Sequence, residues 1–408
     1  MDHSREIELE GHIIDSGIMT RVFDRVMDMG GDFEIITFDV GKRKTDTSYA
    51  RLLITAATEE KLDLITSELH RYGVRLIEAD NIRLVSAEAD RVVPKGFYST
   101  TNHPTYLRYQ DEWIPVEDIE MDCILVVDTD SSKAFCIPLS KLRKGDCVVI
   151  GEHGVRVIYP ERPRETGMFE FMHGQVSSER PSETIVKKIA EELLKVKAKG
   201  EKVAIVGGPA IVHTGAGDAL AAMIREGYID ILFSGNALAT HDIENSIFGT
   251  SLGMNLKTGD LVTGGHKHHI YAISEVMRAG SIAQAVERGI ITHGIMYECV
   301  LSGIPYVLAG SIRDDGPLPD VITDVIEAQD AMRAHIRGCG MVLMIGTLLH
   351  SVAVGNCLPS YVKTICVDIN PASVTKLMDR GTTQAIGVVS DAGTFVPALL
   401  KALRNNTI

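Results

Sequence analysis

The sequence predicts an α/β protein whose C-terminal domain is built on a parallel sheet and is preceded by an α+β domain and a small β domain. Three observations support this fold class. Apolar strands alternate with helical patterns late in the chain, a β-α-β-β-α-β order fills its start, and short strands separated by turns lie between. With 408 residues, 45% of them hydrophobic, the chain can form more than one core.

The first predicted domain covers residues 1–88. Apolar alternation predicts strands, and amphipathic periodicity predicts helices, in the order strand 6–15, helix 17–29, strands 33–40 and 47–56, helix 58–71 and one or two strands within 74–86. This order is the ferredoxin-like or ACT-like plan. The segment KRKTDT at 42–47 is predicted to be a hairpin tip.

The second predicted domain covers residues 89–165 and is all β. Its strand-like runs DCILVVD, FCIPL and CVVIG are separated by turn residues. Residues 160–182 are rich in proline, glycine and charge, which is typical of a linker.

The third predicted domain covers residues 183–408. Its apolar strands have near-continuous Val, Ile and Leu, which indicates a parallel sheet buried on both faces: VAIVGG, IDILFSG, IPYVLAG, MVLMIGT, VKTICVD and AIGVVSD. Ligands of such sheets bind at the carboxyl ends of the strands, so the residues directly after each strand are the candidate site.

Charge and composition narrow the choice of partners. The net charge of −14 argues against nucleic acid or an anionic membrane as the main partner. The charged N-terminus lacks the apolar core of a signal peptide, and no apolar run reaches the ~20 residues of a membrane span. Seven scattered cysteines without a CxxC pair suit a reducing compartment. We therefore expect a cytoplasmic protein.

A dinucleotide site is indicated, incompletely, near the end of the chain. A Rossmann-like unit needs a glycine at the strand-helix turn and an acid about 20 residues later for the ribose hydroxyls. Gly346 and Asp368 stand 22 positions apart in this way. However, GTLLHS lacks the second and third glycines of the fingerprint, and GAGDAL at 215–220 lacks the third. Asp391, in SDAGTF, either helps an anion to bind at a helix start or simply caps that helix.

The segment TGGHKHH, 263–269, has three possible roles. A zinc site would need a third ligand that the neighbouring residues do not supply, so we predict no metal. The histidines and lysine are either exposed at the start of the helix HHIYAISEVMRAG, or they form a cationic pocket wall. We favour the wall, in which His266 and Lys267 meet a carboxylate or phosphate and a histidine moves protons near neutral pH.

Several motifs together resemble one known family. They include GFYSTTNHPTYLR (96–108), FEFM…SSERP, GGPAIVHTGAG, SGNALATHDIE, GGHKHH, DDGPLPD, GTLLHS, VDIN and SDAG. The chain resembles the family that carries the LOR/SDH domain, named for lysine-oxoglutarate reductase/saccharopine dehydrogenase, and within it the stand-alone archaeal-type ornithine cyclodeaminases. The resemblance covers nearly the whole chain. It implies that the C-terminal domain has the deoxyhypusine-synthase-like NAD-binding fold, which does not need GxGxxG.

The resemblance also implies a reaction. L-Ornithine would become L-proline and ammonia by hydride abstraction, cyclisation with loss of ammonia, and re-reduction, so that NAD is recycled within each turnover. We expect L-ornithine as the small-molecule substrate, no nucleic acid or membrane partner, and a homodimer or homotetramer.

Site residues follow from the resemblance. Asp368 would hold the adenosine ribose and disfavour the 2′-phosphate of NADP. Asp314 or Asp315 would hold the nicotinamide ribose or the substrate ammonium, and Asn102 would reach the substrate from the β domain. The predicted catalytic residues are Asp315, His266 and Lys267. The rest of the predicted NAD rim comprises Asn236, Ala237, Thr347, Leu348, Leu349, His350, Asn370, Asp391 and Ala392.

Two other functions remain open. An NAD-dependent amino-acid dehydrogenase of the saccharopine type would accumulate NADH, whereas a cyclodeaminase would not. A non-catalytic NAD or amino-acid sensor would use the ACT-like domain to bind ligand without turnover. We expect instead that this first domain serves for oligomerisation.

Overall fold

The computed structural model describes residues 3–11, 13–14, 17–42, 46–70, 72–76, 81–158, 183–256, 258–260, 262, 265–312, 316–378 and 385–406. The chain divides into two compact units, Met1–Met172 and His173–Ile408. The linker predicted at 160–182 lies outside the described residues, as does the centre of the predicted hairpin tip.

The first unit begins with a four-stranded antiparallel sheet that carries two helices. Its strands are β1 His3–Gly11, β2 Asp32–Asp39, β3 Ser48–Ala56 and β4 Arg75–Leu76, in the spatial order β2-β3-β1-β4. The helices are α1 Ile18–Asp28 and α2 Glu59–His70. Buried and half-buried residues alternate strictly along β3, and α1 buries Met19, Val22 and Val26 at helical spacing. This is the predicted ferredoxin-like arrangement.

A seven-stranded, mostly antiparallel sheet forms the rest of the first unit. Its spatial order is β11-β6-β7-β9-β8-β10-β5. The strands are β5 Arg83–Ser86, β6 Thr105–Tyr109, β7 Glu112–Glu117, β8 Ile124–Asp128, β9 Lys133–Ile137, β10 Cys147–Ile150 and β11 Val155–Val157. Strand β5 belongs to this sheet although it precedes residue 88. The three-part division of the chain at the predicted boundaries stays a prediction.

The second unit is an α/β layer structure around a seven-stranded parallel sheet. The spatial order is β17-β16-β13-β12-β18-β19-β20. These strands are β12 Lys202–Gly207, β13 Ile231–Gly235, β16 Tyr306–Ala309, β17 Val321–Ile322, β18 Cys339–Ile345, β19 Lys363–Asp368 and β20 Ala385–Val389; a small hairpin adds β14 Thr250–Ser251 and β15 Met254–Asn255. The predicted α/β fold class is confirmed.

Helices cover both faces of this sheet. Two apolar clusters, one on each face, bury alternate residues of the same strands: Val203 and Ile205 face one, Ala204 and Val206 the other. The helices are α3 Glu183–Ala198, α4 Ala210–His213, α5 Gly217–Arg225, α6 Asn236–Phe248, α7 His268–Ala279, α8 Ile282–Glu287, α9 Ile295–Leu301, α10 Val325–Ile336, α11 Leu348–Asn356, α12 Pro371–Met378 and α13 Ala392–Asn406.

The order of strands creates a topological switch point. The chain runs outward from β12 to β13, β16 and β17, and then returns to the other side of β12 to form β18, β19 and β20. At such a point the connections after two adjacent strands diverge, and a crevice opens at their carboxyl ends. The switch therefore lies between Gly207 and Ile345, which are paired in register.

Candidate active site

Two glycines line the switch point. Gly208 and Gly346 directly follow β12 and β18, and the Gly208 N–H donates to the Ile345 carbonyl at 2.9 Å. A Cβ on Gly208 would overlap the Gly346 carbonyl and would lie 2.9 Å from Thr347 Cβ. Gly346 has a φ of +64°, which favours glycine. Glycine at these two positions lets the ends of β12 and β18 pack backbone against backbone.

A third strand end reaches the same crevice through His350. Gly235 ends β13, and a Cβ on it would lie 2.8 Å from His350 Cε1 and 3.0 Å from Nε2. His350 Nδ1 lies 3.1 Å from Thr347 Oγ1. The start of α11, with Thr347, Leu348 and His350, is therefore packed against the ends of β12 and β13.

The end of β19 supplies an acid and a helix cap. Asp368 Oδ1 accepts a hydrogen bond from the Asn370 N–H at 2.8 Å, and Asn370 Oδ1 accepts from the Ala372 N–H at 3.0 Å at the start of α12. Ile369, the residue after Asp368, is 72% exposed, and Leu349, the second residue of α11, is 75% exposed. Exposed apolar side chains beside an acid at a strand end suit the base and ribose of a nucleotide.

Asp391 precedes α13, whose start lies beside α4. The carbonyl of Asp391 accepts from the N–H groups of Thr394 and Phe395. A Cβ on Gly393 would lie 2.6 Å from the Thr214 carbonyl and 2.9 Å from Asp391 Oδ2, so only glycine fits there. Ala392 is buried in the apolar core, so its methyl group packs inward.

Asn236 holds a loop in place. Its side chain is buried, donates to the Gly316 carbonyl at 3.2 Å and accepts from the Leu318 N–H at 3.0 Å. The neighbouring Ala237 is half-buried at the start of α6. Asp314 and Asp315, predicted to touch the nicotinamide ribose or the ammonium, lie outside the described residues.

These strand ends fit a dinucleotide. Glycines at or just after four of them (Gly208, Gly235, Gly346 and Gly393) let the strand ends pack closely against the starts of the helices, where an added Cβ would collide. The N-terminus of the nine-residue helix α11 opens beside it, and backbone N–H groups at a helix start bind phosphate. The fold thus replaces the missing GxGxxG by glycines brought together from distant positions.

The GGHKHH segment leads into α7, and the predicted roles of His266 and Lys267 stay predictions. Thr263 and Gly264 lie outside the described residues, Gly265–Lys267 form a 3-10 turn, and α7 begins at His268 as predicted. His266 and Lys267 are both exposed. The two following histidines, His268 and His269, instead join a cluster of buried and half-buried side chains.

This cluster, here called the histidine network, comprises His213, His241, Glu244, Ser251, Thr250, His268 and His269. His241 Nδ1 lies 2.9 Å from Glu244 Oε2, and the rings of His213 and His241 meet edge to face at 4.7 Å. The ring of His269 lies 6.3 Å from that of His241. His213, His241 and Glu244 were not among the predicted site residues, although both histidines follow strand ends, in GGPAIVH and SGNALATH.

No metal centre is formed by the part of the chain that the structure describes: no three His, Cys, Asp or Glu side chains are arranged to hold an ion. Within the same residues, no helix is long and apolar enough to cross a membrane. All seven cysteines are free, and six are buried.

Asn102 belongs to the first unit, where it is buried. The next residue, His103, is also buried, and burial lowers its pKa to about 4. The predicted role of Asn102 toward the substrate stays a prediction.

Comparison with known proteins accounts for the whole chain. A model described as "Arginine dihydrolase ArgZ-like, C-terminal, Rossmann fold" matches residues 187–399. The "LOR/SDH bifunctional enzyme conserved region" matches 4–103, and "Arginine dihydrolase ArgZ-like, C-terminal, first region" matches 104–186. The ornithine cyclodeaminase of Methanopyrus kandleri is 58% identical over 404 residues, which cover 99% of this chain and 98% of the relative.

This chain belongs to the LOR/SDH family of archaeal-type ornithine cyclodeaminases.

Two solved structures of this family are similar to the chain. A conserved LOR/SDH protein from Methanococcus maripaludis S2 is 56% identical with a TM-score of 0.77, and the match covers 81% of this chain and 100% of that one. AgrE, a bifunctional arginine dihydrolase/ornithine cyclodeaminase of Nostoc sp., has been solved in a ternary complex with ornithine and NAD+. It is 43% identical with a TM-score of 0.54, and the match covers 100% of this chain and 59% of that one.

Proposed function

We propose that this protein converts L-ornithine to L-proline and ammonia and recycles NAD within each turnover. The observation that carries the proposal is the glycine-lined crevice at the switch point, followed by Asp368 at the end of the next strand. It is supported by family membership and by the binding of ornithine and NAD+ in the related AgrE.

The chain's own residues can hold each part of the cofactor. Asp368 accepts hydrogen bonds from the adenosine ribose hydroxyls, while Leu349 and Ile369 border the base. The N–H groups at the start of α11, from Thr347 to Leu349, bind the pyrophosphate, and those beside Asp391 and Ala392 lie at a second helix start. Gly208, Gly235 and Gly346 let the strand ends pack close to the start of α11 at this site.

The bound nicotinamide supplies the redox chemistry, since it takes a hydride from the amino-bearing carbon of ornithine and returns it to the cyclic imine. The protein must orient the substrate, exclude water and move protons. Asp314 or Asp315 are proposed to hold the nicotinamide ribose or the substrate ammonium. His266 and Lys267 are proposed to receive the carboxylate from an exposed position, and Asn102 to contact the substrate.

Retention of the cofactor follows from the recycling. Because each turnover regenerates NAD, release of NADH would interrupt the reaction before the second reduction. We therefore expect the protein to bind the cofactor tightly. We also propose that the protein works in the cytoplasm in proline formation from ornithine, and that it is a homodimer or homotetramer.

The decisive experiment incubates the purified protein with L-ornithine and substoichiometric NAD. Proline and ammonia in equal amounts, in excess of the NAD supplied and without accumulation of NADH, are expected. Accumulation of NADH in proportion to substrate consumed would show a dehydrogenase instead. Binding of NAD without turnover of ornithine or other amino acids would show a sensor.

A further inference from the structure

The histidine network contains a buried carboxylate whose two oxygens both have hydrogen-bond partners. Glu244 is 0% exposed. Its Oε1 accepts from Thr250 Oγ1 at 2.9 Å and from the Gly253 N–H at 3.0 Å. Its Oε2 lies 2.9 Å from His241 Nδ1 and 3.2 Å from the Leu252 nitrogen, which donates to it. Burial alone would raise the pKa of Glu244, but these hydrogen bonds outweigh it and hold the pKa below its usual value.

The ionised carboxylate fixes the proton on His241. A carboxylate only accepts hydrogen bonds, so Nδ1 of His241 carries the proton and donates it. Nε2 of the neutral ring is then a hydrogen-bond acceptor. A histidine whose Nδ1–H is held by a buried carboxylate is oriented as a general base, and its imidazolium form is stabilised by the same charge.

Two further imidazoles of the network have hydroxyl partners. The single hydroxyl proton of Thr250 goes to Glu244, so Thr250 Oγ1 accepts from His268 Nδ1, 2.8 Å away. His213 Nδ1 lies 2.7 Å from Ser251 Oγ. Burial, followed by the neighbouring His241, lowers the pKa of His213 to about 4, so His213 is neutral at pH 7.

Two helices of the network follow strands that end at the carboxyl edge of the sheet. His213 ends α4, the one-turn helix that begins two residues after Gly208. His241 lies in α6, which begins directly after Gly235 at the end of β13. Thr214, the residue after His213, contacts the start of α13 beside Asp391. These connections leave the same strand ends that form the dinucleotide crevice.

We propose that His241, oriented by Glu244, is the catalytic base that removes a proton from the ornithine ammonium before its carbon is oxidised. This inference rests on the proposed function. One N–H bond of the ammonium breaks and its proton forms an N–H bond with Nε2 of His241, which leaves a neutral amine and an imidazolium. The freed lone pair of the amine can then form the carbon–nitrogen double bond of the imine.

The groups around His241 differ in the roles that they can play. Two imidazoles from other helices face His241, namely His213 from α4 and His269 from α7. His268 joins the network through Thr250. His213, with its low pKa, binds protons too weakly to be the base at neutral pH. Glu244 does not need to touch the substrate, so it is a positioning residue that acts through His241.

The test compares the wild type with His241→Asn, Glu244→Gln and the matched control His293→Asn, which replaces an exposed histidine of the same unit. Each protein is assayed for proline and ammonia, and its melting temperature and NAD affinity are measured. His241→Asn is expected to lower kcat by about 10²–10⁴-fold, the usual contribution of a general base, with NAD affinity unchanged. A further variant, His241→Ala, is assayed with and without added imidazole, which should restore part of its activity.

Glu244→Gln provides a second readout. Glu244→Gln removes the negative charge that faces the imidazolium formed when His241 takes the proton. The acid limb of the kcat profile should therefore move to lower pH while kcat falls about 10-fold or more. A purely structural role for Glu244 would lower activity without moving this limb. If Glu244→Gln does not fold, the kcat of His241→Asn and the imidazole rescue still test whether His241 is the base.

The outcomes separate the two proposals. A wild type that forms no proline from ornithine overturns the proposed function, and this inference with it. An active wild type with a His241→Asn variant within 3-fold of it, or a variant whose loss is explained by lost NAD binding, overturns the inference alone.

Discussion

Gly208 and Gly346 lie in contact at the point where the sheet changes direction. The amide of Gly208 donates to the residue before Gly346, and a Cβ on Gly208 would meet the Gly346 carbonyl carbon at 2.7 Å. The neighbour in this contact is backbone, which cannot rotate away as a side chain can. The shape of the crevice therefore depends on glycine at this position.

Gly208→Ala is expected to separate β12 from the start of α11. The added methyl group overlaps backbone, and such overpacking costs roughly 1–3 kcal/mol in the free energy of unfolding. Because the shift occurs at the crevice, NAD affinity should fall together with stability. Thermal melts and NAD calorimetry measure both.

The matched control is Gly355→Ala on α11. Its Cβ would contact only Met344 Cε, at an ordinary 3.6 Å. We expect no loss of stability or NAD affinity in this variant, since alanine favours the helix more than glycine does. Equal stability and equal NAD affinity in Gly208→Ala and Gly355→Ala would contradict the predicted overlap at Gly208.

Asp368 is expected to select NAD over NADP. Asp368→Ala removes the proposed partner of the ribose hydroxyls and the charge that repels a 2′-phosphate. NAD affinity should fall about 10-fold, equivalent to about 1.4 kcal/mol, and the preference for NAD over NADP should narrow. Titration of both dinucleotides measures this, with the exposed Glu191→Gln as a control for net charge. Unchanged NAD affinity in Asp368→Ala would show that Asp368 does not bind the cofactor.

The fold could be predicted because each element carries its own periodic signal. Side chains along β3 alternate between buried and half-buried, and those along β18 are all buried. The sequence patterns of the two strands, alternating and continuously apolar, predict an antiparallel and a parallel sheet respectively. Gly346 and Asp368 could be predicted as a pair, since one directly follows β18 and the other ends β19, at a spacing that the βαβ unit imposes.

The histidine network could not be predicted in this way. His213, His241 and His268 come from three helices and meet only because α4, α6 and α7 pack together. The clustering of histidines in GGHKHH favours His266 and Lys267 as site residues. In the structure, the helix that begins at His268 turns His268 and His269 toward α6. Which histidines lie inside is decided by packing, and the local sequence does not encode it.

Asn236 is expected to act by holding the loop Gly316–Leu318. Its side chain satisfies the Leu318 N–H and the Gly316 carbonyl from a buried position, and loss of a partner for a buried polar group costs about 1–3 kcal/mol. Asn236→Ala should lower the melting temperature and speed hydrogen exchange at the Leu318 amide. The half-buried neighbour Ala237, changed to Ser, is the control and should leave that exchange rate unchanged. If Leu318 stays protected in Asn236→Ala, the loop is held by other contacts.

His213 is expected to make the protein less stable in mild acid. Its pKa is about 4 in the folded state against an ordinary value of 6.5, so the unfolded chain binds the extra proton first. The contribution of His213 to stability is therefore complete above about pH 6.5 and is lost as the pH falls toward 4. His213→Asn should show a shallower loss of unfolding free energy across this window than the wild type, measured by urea melts at several pH values. The exposed His293→Asn should keep the wild-type slope, and a His213→Asn curve parallel to the wild type would show that His213 is not the group responsible.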